Sequence, residues 1–569
     1  MKLNIIKNIA PVFAIAAGLT MTSCVKDLDF ESASDTCDPN INQPFDANQM
    51  YTKCYASLIM EGNDGAADFD IDDGGKSCLL RNIYNLECLG TDESICWWTD
   101  GGLINVCYNQ AEPGDQVLKF MYYRSMSNIT YCNHYLNDDK CKALGAEKYA
   151  EVRWIRAYNY YVLANEFGNV PFLTKISGDA APRATQAEMY KWLIKEFTEC
   201  EADLMSAEPV KDTNKEKYGR VNKAAAWLML SRLYLNANVW NAKVDGFNYD
   251  AALDSVKLYA GKILNESEYK LCTADTVVVD EQTGVECTWT GYDKLFMADN
   301  GSSEAHVEAI LPLLQDGEIT RGYGGTYFFV AAHADAEQKT VNDIDKANTD
   351  GWRGMRVRKQ LLEKFTNDPY AWEGKTSKEI RQVAGDDRAL FWGVDHTVDI
   401  VSNDKDESFL AGLTTTKFNN RRSDGKQPQR MDGNCDADFF LLRAAEAYLN
   451  YAEAECRLSG GSLKAGSQGA KYMDKIRERA HCTKKMTTYS LNDILDERAR
   501  EFYCEGYRRT DLIRFGQFGG NQATYTWDYK GGIEAGQAFP ATRNLYPIPS
   551  SELLANPNLK QNEGYAEVK

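Results

Sequence analysis

Histidine is scarce in this chain of 569 residues: five are present, widely scattered. Sixteen cysteines occur, yet no two are spaced as Cys-x-x-Cys. A zinc site built from paired thiolates and imidazoles is therefore disfavoured. Positive charge is short as well, with 64 Lys+Arg against 83 Asp+Glu and a net charge of −19. Such a surface repels the phosphates of nucleic acid and offers no polybasic hold on anionic lipid. No long apolar run follows residue 19, which excludes a later membrane-spanning helix. Hydrophobic residues make up 44% of the chain, enough to bury a large core. The length fits two to four domains or one large helical assembly.

The one apolar run lies at the start. Lys2 and Lys7 precede an apolar stretch from Ile9 to Leu19, too short to span a bilayer comfortably. Met21-Thr22-Ser23-Cys24 follows, and the chain turns polar at once. This reads as a signal peptide over 1–23 that ends in a lipobox, with Cys24 as the lipidated residue of the mature chain. Acyl chains would then tether a body that sits in water. Residues 24–45, with Pro39 and Pro44, read as an extended linker, and 46–569 as a single domain. With Cys24 lipidated, fifteen cysteines remain, an odd number. Export permits disulfides, and Cys78, Cys88, Cys96 and Cys107 are close enough in sequence to make one bridge there plausible.

Several segments carry helical periodicity. Val152, Ile155, Tyr158 and Val162 line one face of 148–167. Ala226, Leu230, Leu233 and Ala237 do the same in 220–240, and Leu442, Ala445, Leu449, Ala452 and Cys456 in a third stripe. Small residues alternate with tyrosine on these faces, which lets helices approach closely while rings fill the gaps. That pattern predicts a mostly α fold of stacked, tetratricopeptide-like helix hairpins, without the strict 34-residue consensus. Between about 266 and 436 the helical runs shorten and Gly, Asp and Asn become frequent. Thr276-Val277-Val278-Val279 and Thr326-Tyr327-Phe328-Phe329-Val330 read there as short strands. Together with the loop-rich stretch 62–115, this region forms the expected ligand lobe, since binding residues concentrate on loops held by a rigid frame. A further loop-rich stretch runs from Gly516 to Thr542.

Three groups of residues carry possible chemistry. Glu497, Glu501 and Glu505 are spaced i, i+4, i+8, and paired carboxylates suggest glycoside hydrolysis. Arg498, Arg500, Arg508, Arg509 and Arg514 are interleaved with them, however, which favours ion pairs that tie helices together. The second group is aromatic. Trp97-Trp98, Tyr323 and Trp352 stand beside glycine or acidic residues, outside any apolar stripe. An aromatic plate covers the apolar C–H face of a sugar ring while polar neighbours bind its hydroxyls. The third group is acidic: Asp436-x-Asp438, with Asp299 and Glu308, offers hard oxygens suited to Ca²⁺, although acidic pairs in loops are more commonly solvated or helix caps.

Longer signatures point to a family. Phe167-Gly168-Asn169-Val170-Pro171 ends one predicted helix. Asp496-Glu497-Arg498-Ala499-Arg500-Glu501-Phe502-Tyr503 leads into Gly506-Tyr507-Arg508-Arg509-Thr510-Asp511-Leu512. Tyr546-Pro547-Ile548-Pro549, then Asn556-Pro557 and Gln561-Asn562, stand near the C-terminus. With the lipobox, these resemble the RagB/SusD family of nutrient-binding outer-membrane lipoproteins. Phe296-Met297-Ala298-Asp299-Asn300 and Gly385-Asp386-Asp387-Arg388-Ala389-Leu390 resemble its starch-binding branch in particular.

The resemblance implies a non-catalytic protein on the outer face of the outer membrane, with four tetratricopeptide-like helix pairs. It also implies a partner, a SusC-type TonB-dependent transporter that receives the glycan. Asp27 and Asp29 look like the family's surface-export signal. By position the resemblance carries over Tyr323 and Trp352 as sugar-stacking plates and Arg81 as a donor to sugar hydroxyls. It also favours a structural calcium at Asp299, Glu308, Asp436 and Asp438. Cys96 and Gly101 depart from the pattern, where an aromatic plate and an asparagine are expected; Trp97 or Trp98 is the candidate replacement. The ligand expected is starch or a related α-glucan. The alternatives are another glycan, a peptide, or a helical glycoside hydrolase.

Overall fold

The structure is a computed structural model, and it describes residues 45–62, 71, 75–335, 337–401, 409–431, 434–520 and 523–567. Cys24, the lipobox and nearly all of the linker lie outside these residues. Residues 48–569 make one compact unit.

The frame is helical. Its longer helices are α1 (Ala47–Ala56), α2 (Leu79–Glu87), α3 (Gln116–Asn137), α4 (Ala146–Phe167), α5 (Gln186–Cys200), α6 (Lys223–Leu235), α7 (Tyr249–Glu266), α8 (Ser377–Ala384), α9 (Ala445–Leu458), α10 (Gln468–Arg479) and α11 (Leu491–Phe502). Local sequence sets their ends. Thr185 and Glu188 form a capping box on α5, Ser490 and Asp493 do so on α11, and the Asn222 side chain caps α6. Gly168, at φ 72°, stops α4 where a side chain would meet Leu545.

Neighbours in sequence are largely neighbours in space. Helix α3 packs on α4, α4 on α5, α5 on α6, α6 on α7, and α9 closes against α6, α7, α10 and α11. This is the stacked arrangement that the alternating small and aromatic residues predict. Two stripes are shorter than the periodicity suggests. Asn236 interrupts the second, so that Ala237–Trp240 is a separate short helix. Leu442 belongs to a strand, and its stripe becomes helical only from Ala445.

Strands occur only as pairs among the described residues. We label β1 (Ser94–Cys96), β2 (Thr276–Val279), β3 (Glu286–Trp289), β4 (Ala309–Leu313), β5 (Met355–Val357) and β6 (Phe439–Arg443). The pairs β1–β5, β2–β3 and β4–β6 are antiparallel. Thr276–Val279 is thus a strand as expected, but Thr326–Val330 is not. Thr326–Ala332 is a short helix, and all seven of its residues are buried. Burial on every side removes the alternation that separates strand from helix, so β-propensity misleads there.

A second skeleton, made of ion pairs, runs through the core. Arg443 reaches Glu308 (2.8 Å), Glu501 (2.6 Å) and Glu505 (2.6 Å), all of them buried. Arg479 bonds Glu308 and Glu501, and Glu497 is held by Arg388, Arg477 and Arg500. Glu505 lies beyond the end of α11, so the three glutamates do not share one helix; Glu501 and Glu505 converge on Arg443, while Glu497 faces Arg388, Arg477 and Arg500. Burial raises the Glu497 and Glu501 carboxyls, but the surrounding guanidinium charges outweigh it and hold both well below the usual range. A carboxylate kept ionised among arginines cannot act as a general acid, so these glutamates are structural.

The expected disulfide is absent. Each of the fourteen cysteines among the described residues is a free, buried thiol, including Cys78, Cys88, Cys96 and Cys107. They pack as small apolar side chains, and burial raises the Cys96 and Cys78 thiols, the latter to about 12.

Candidate functional site

An aromatic surface is assembled from three distant stretches of chain. The β1–β5 ladder pairs Cys96 with Met355, and Trp97 N–H donates to Gly354 O. The residues just past the ends of these strands, Trp98 and Trp352, are thereby brought together. Their ring centroids are 6.4 Å apart and tilted by 56°. Gly354 is required here: its φ is +88°, and a Cβ would run into the Trp98 indole. Trp352 is pinned from behind by its own N–H, which donates to Ala331 O at the end of the short helix.

The third ring is Tyr323, 6.5 Å from Trp352 and tilted by 44°. It is 45% exposed, while Trp98 and Trp352 are half-buried with their edges held in the protein. Three rings in nearly equal steps, each tilted against the next, form one aromatic wall. Tyr327 supports it from beneath, 4.7 Å from Trp352 in an edge-on contact, and its hydroxyl donates to Asp350. Arg81 on α2 lies behind the wall, with its guanidinium 5.6 Å from the Trp98 ring and 5.0 Å from Phe328.

The structure therefore brings Arg81, Trp98, Tyr323 and Trp352 to one place. Trp97 is not among them. It is 2% exposed and packs edge-on against Tyr108 and Tyr529, with the Arg356 guanidinium over its ring. The chain leaves β1 at Cys96, and in the extended segment that follows only Trp98 of the two adjacent tryptophans reaches the surface. Cys96, in the position of the expected plate, is wholly buried. Gly101 sits against the Gln116 side chain, leaving no room for an asparagine without displacing it. Tyr327 went unrecognised in the sequence because its segment reads as a strand.

The acidic group is partly assembled. Asp299, Asp436 and Asp438 line a single cavity, together with Asp316 and Tyr218. Asp299 accepts from the Ser423 N–H and hydroxyl, Asp438 from the Gln315 N–H, and Asp436 from the Gln429 N–H. Asp436 Oδ1 is buried without a hydrogen-bond partner among the described residues. Burial raises Asp436 to about 6 and Asp438 to about 7, and raises Asp299 as well. Glu308 does not belong to this group, because both of its oxygens are committed to Arg443, Arg479 and the Cys272 N–H. Among the described residues no group of three or more His, Cys, Asp or Glu side chains is arranged to hold a metal ion. The cavity fits a hard cation in charge and in its orphan oxygen, but not as a closed cage.

Fold and site together define a helical scaffold that presents an aromatic, polar-backed surface to a ligand. Two family models match the chain: one described as the SusD family over residues 317–565, and one described as starch-binding and associating with the outer membrane over 91–235. The starch-binding protein SusD of Bacteroides thetaiotaomicron is 34% identical over 99% of this chain and 100% of its own length. A SusD-like protein of Formosa agariphila is 22% identical over 77% of each. Among solved structures, surface glycan-binding protein A of Bacteroides uniformis superposes with a TM-score of 0.61 at 19% identity, covering 91% of this chain and 98% of its own. The Bacteroides thetaiotaomicron protein of that name, in complex with laminarihexaose, gives 0.59 at 18% over 91% and 98%. The chain belongs to the SusD family.

Proposed function

We propose that this protein is a non-catalytic, cell-surface lipoprotein that captures starch or a related α-glucan on the Trp98–Trp352–Tyr323 wall. The observation that carries this reading is the wall's geometry. Its three adjacent rings offer stacking faces for the apolar sides of sugar rings, and Arg81 provides a cation behind them. The 34% identity to a starch-binding relative supports an α-glucan. Lipidation at Cys24 would anchor the protein at the outer membrane, and the captured glycan would pass to a SusC-type TonB-dependent transporter.

Neighbouring structures solved with laminarihexaose and with a xylogluco-oligosaccharide support a second reading, a different glycan on the same frame. The buried Cys96 in the place of an expected plate favours it. Pull-down of the soluble chain beginning after Cys24 on insoluble starch tests the first reading. Retention is expected, and Trp352→Ala should abolish it. Retention unchanged by that substitution would remove the wall as the site. No retention by the unaltered chain would remove starch as the ligand and leave the second reading, to be resolved on a glycan array.

Asp299, Asp436 and Asp438 would hold a structural Ca²⁺, with Glu308 excluded. Such an ion would neutralise carboxylates that burial now disfavours, and would brace the loop that leads to Tyr323.

A further inference from the structure

Tyr323 lies in a glycine-flanked loop, Gly322-Tyr323-Gly324-Gly325, and is the most exposed plate of the wall. A residue so placed on glycine-rich chain needs an external hold. One part of that hold is steric. Gly75 meets the Tyr323 Cβ so closely that a side chain at 75 would collide with it, and Gly324 abuts Cys78 and Gly75 O. The polar part comes from Glu61. Gly324 N–H donates to Glu61 Oε1 at 2.7 Å, and the carboxylate also presses on Gly322.

Glu61 is wholly buried, and its Oε2 has no hydrogen-bond partner among the described residues. Its own backbone is fixed from the opposite side, where the buried Arg124 of α3 donates to Glu61 O at 2.9 Å and to Ser77 O at 2.9 Å. Arg124 thus joins the two stretches, 61 and 77, on which the loop rests. A carboxyl with no ion pair among the described residues, kept at the root of the most exposed plate, has no evident role in packing.

We propose that Glu61 is a positioning residue that holds the Tyr323 plate in register with Trp352. This rests on the reading of the wall as the glycan site. The proposal also gives the loop a pH dependence. Burial pushes the Glu61 carboxyl up to about 7, against the opposing pull of the Gly324 and Tyr323 N–H groups and the Arg124 charge. The Cys78 thiol also faces it and stays protonated across this range. With the loop lifted, water reaches the carboxyl, which then returns toward its ordinary 4.5. The closed loop therefore binds the proton more tightly than the open one. Closure is favoured most below about 4.5, weakens between there and about 7, and is constant above.

Maltoheptaose binding by calorimetry between pH 5 and pH 8.5 tests this, with Glu61→Gln, Glu61→Ala and Tyr323→Ala as variants. Affinity of the unaltered chain should fall severalfold as pH rises to 7 and then level off. Glu61→Gln keeps an acceptor for Gly324 but cannot titrate, so its affinity should be flat with pH. Glu61→Ala should bind more weakly at every pH. Hydrogen exchange of the 320–326 segment reads the same hold without ligand: protection in Glu61→Gln and its loss in Glu61→Ala are expected. Unchanged protection in Glu61→Ala would overturn the proposal, as would a pH profile that Glu61→Gln leaves intact. If Tyr323→Ala binds normally, the reading of the wall fails, whatever Glu61 does to the loop.

Discussion

Trp97 and Trp98 are chemically identical neighbours with different tasks. Just past the end of β1, the first packs inward against Tyr108, Tyr529 and Arg356 and the second stands on the wall. Trp97→Ala should therefore cost about 3–5 kcal/mol of stability, the range for truncating a buried aromatic. Trp98→Ala should cost far less stability, about 1 kcal/mol, but weaken glycan binding at least tenfold. Urea unfolding and calorimetric titration of both variants check this, and equal stability losses would contradict the assignment. Which of the two faces out was open in the sequence, because adjacent tryptophans beside a glycine pair carry no periodicity. The departure at Cys96 was legible, since a cysteine there offers no ring.

At the scale of elements, the ion pairs decide which helices can come together. Helices α10 and α11, strand β6 and the turn that follows α11 meet where Arg443 and Arg479 face Glu308, Glu501 and Glu505. Arg388 also reaches Glu501 and Lys417 reaches Glu505, so three buried carboxylates share four cations, and Arg443 is the one that touches all three. Arg443→Met should cost about 3–5 kcal/mol or prevent folding, because it strands buried charge rather than removing a contact. Arg443→Lys, which retains charge but not the fork, should fall in between. Urea midpoints of the two variants would show the order, and a loss below 1 kcal/mol for Arg443→Met would refute it. The interleaved Glu and Arg residues of 497–514 made the structural role readable from the chain. The convergence of Glu501 and Glu505 on Arg443, from a strand 58 residues before Glu501 in sequence, was not.

For the whole molecule, pH divides the buried carboxylates into two opposed sets. Arg508 pulls Asp92 down to about 2 despite its burial, and Arg514 and Arg457 do the same for Glu453. These depressed groups stabilise the fold above their unfolded values, near 4, and that stability is lost as pH falls toward 2. Asp436 and Asp438 are raised instead, so they penalise the fold increasingly as pH rises from about 4 to about 7. Without divalent ions the melting temperature should therefore peak near pH 4 as far as these groups decide it. Added calcium should raise it at pH 7.5, where it relieves the ionised Asp436 and Asp438, and have little effect at pH 4.5. Scanning calorimetry with calcium and with a chelator checks both, and coincident curves at pH 7.5 would count against the cation.

Several features followed from the sequence alone. The scarcity of His and of Cys-x-x-Cys argued against zinc, and the acidic balance argued against nucleic acid. Helical periodicity called for a stacked helical frame, and loop aromatics beside glycine pointed to sugar faces. These are local signals, set by composition and by spacing within one segment. Tertiary structure decided the rest. It placed Trp98 and not Trp97 on the wall, turned the predicted strand at 326–330 into the helix that carries Tyr327, left the thiols free, and took Glu308 away from the aspartates. Each of these depends on which distant residue supplies the partner: β5 for β1, Arg443 for Glu308, Glu61 for Gly324. Such pairings carry no signature within a segment, because a buried side chain's role is set by what folds against it.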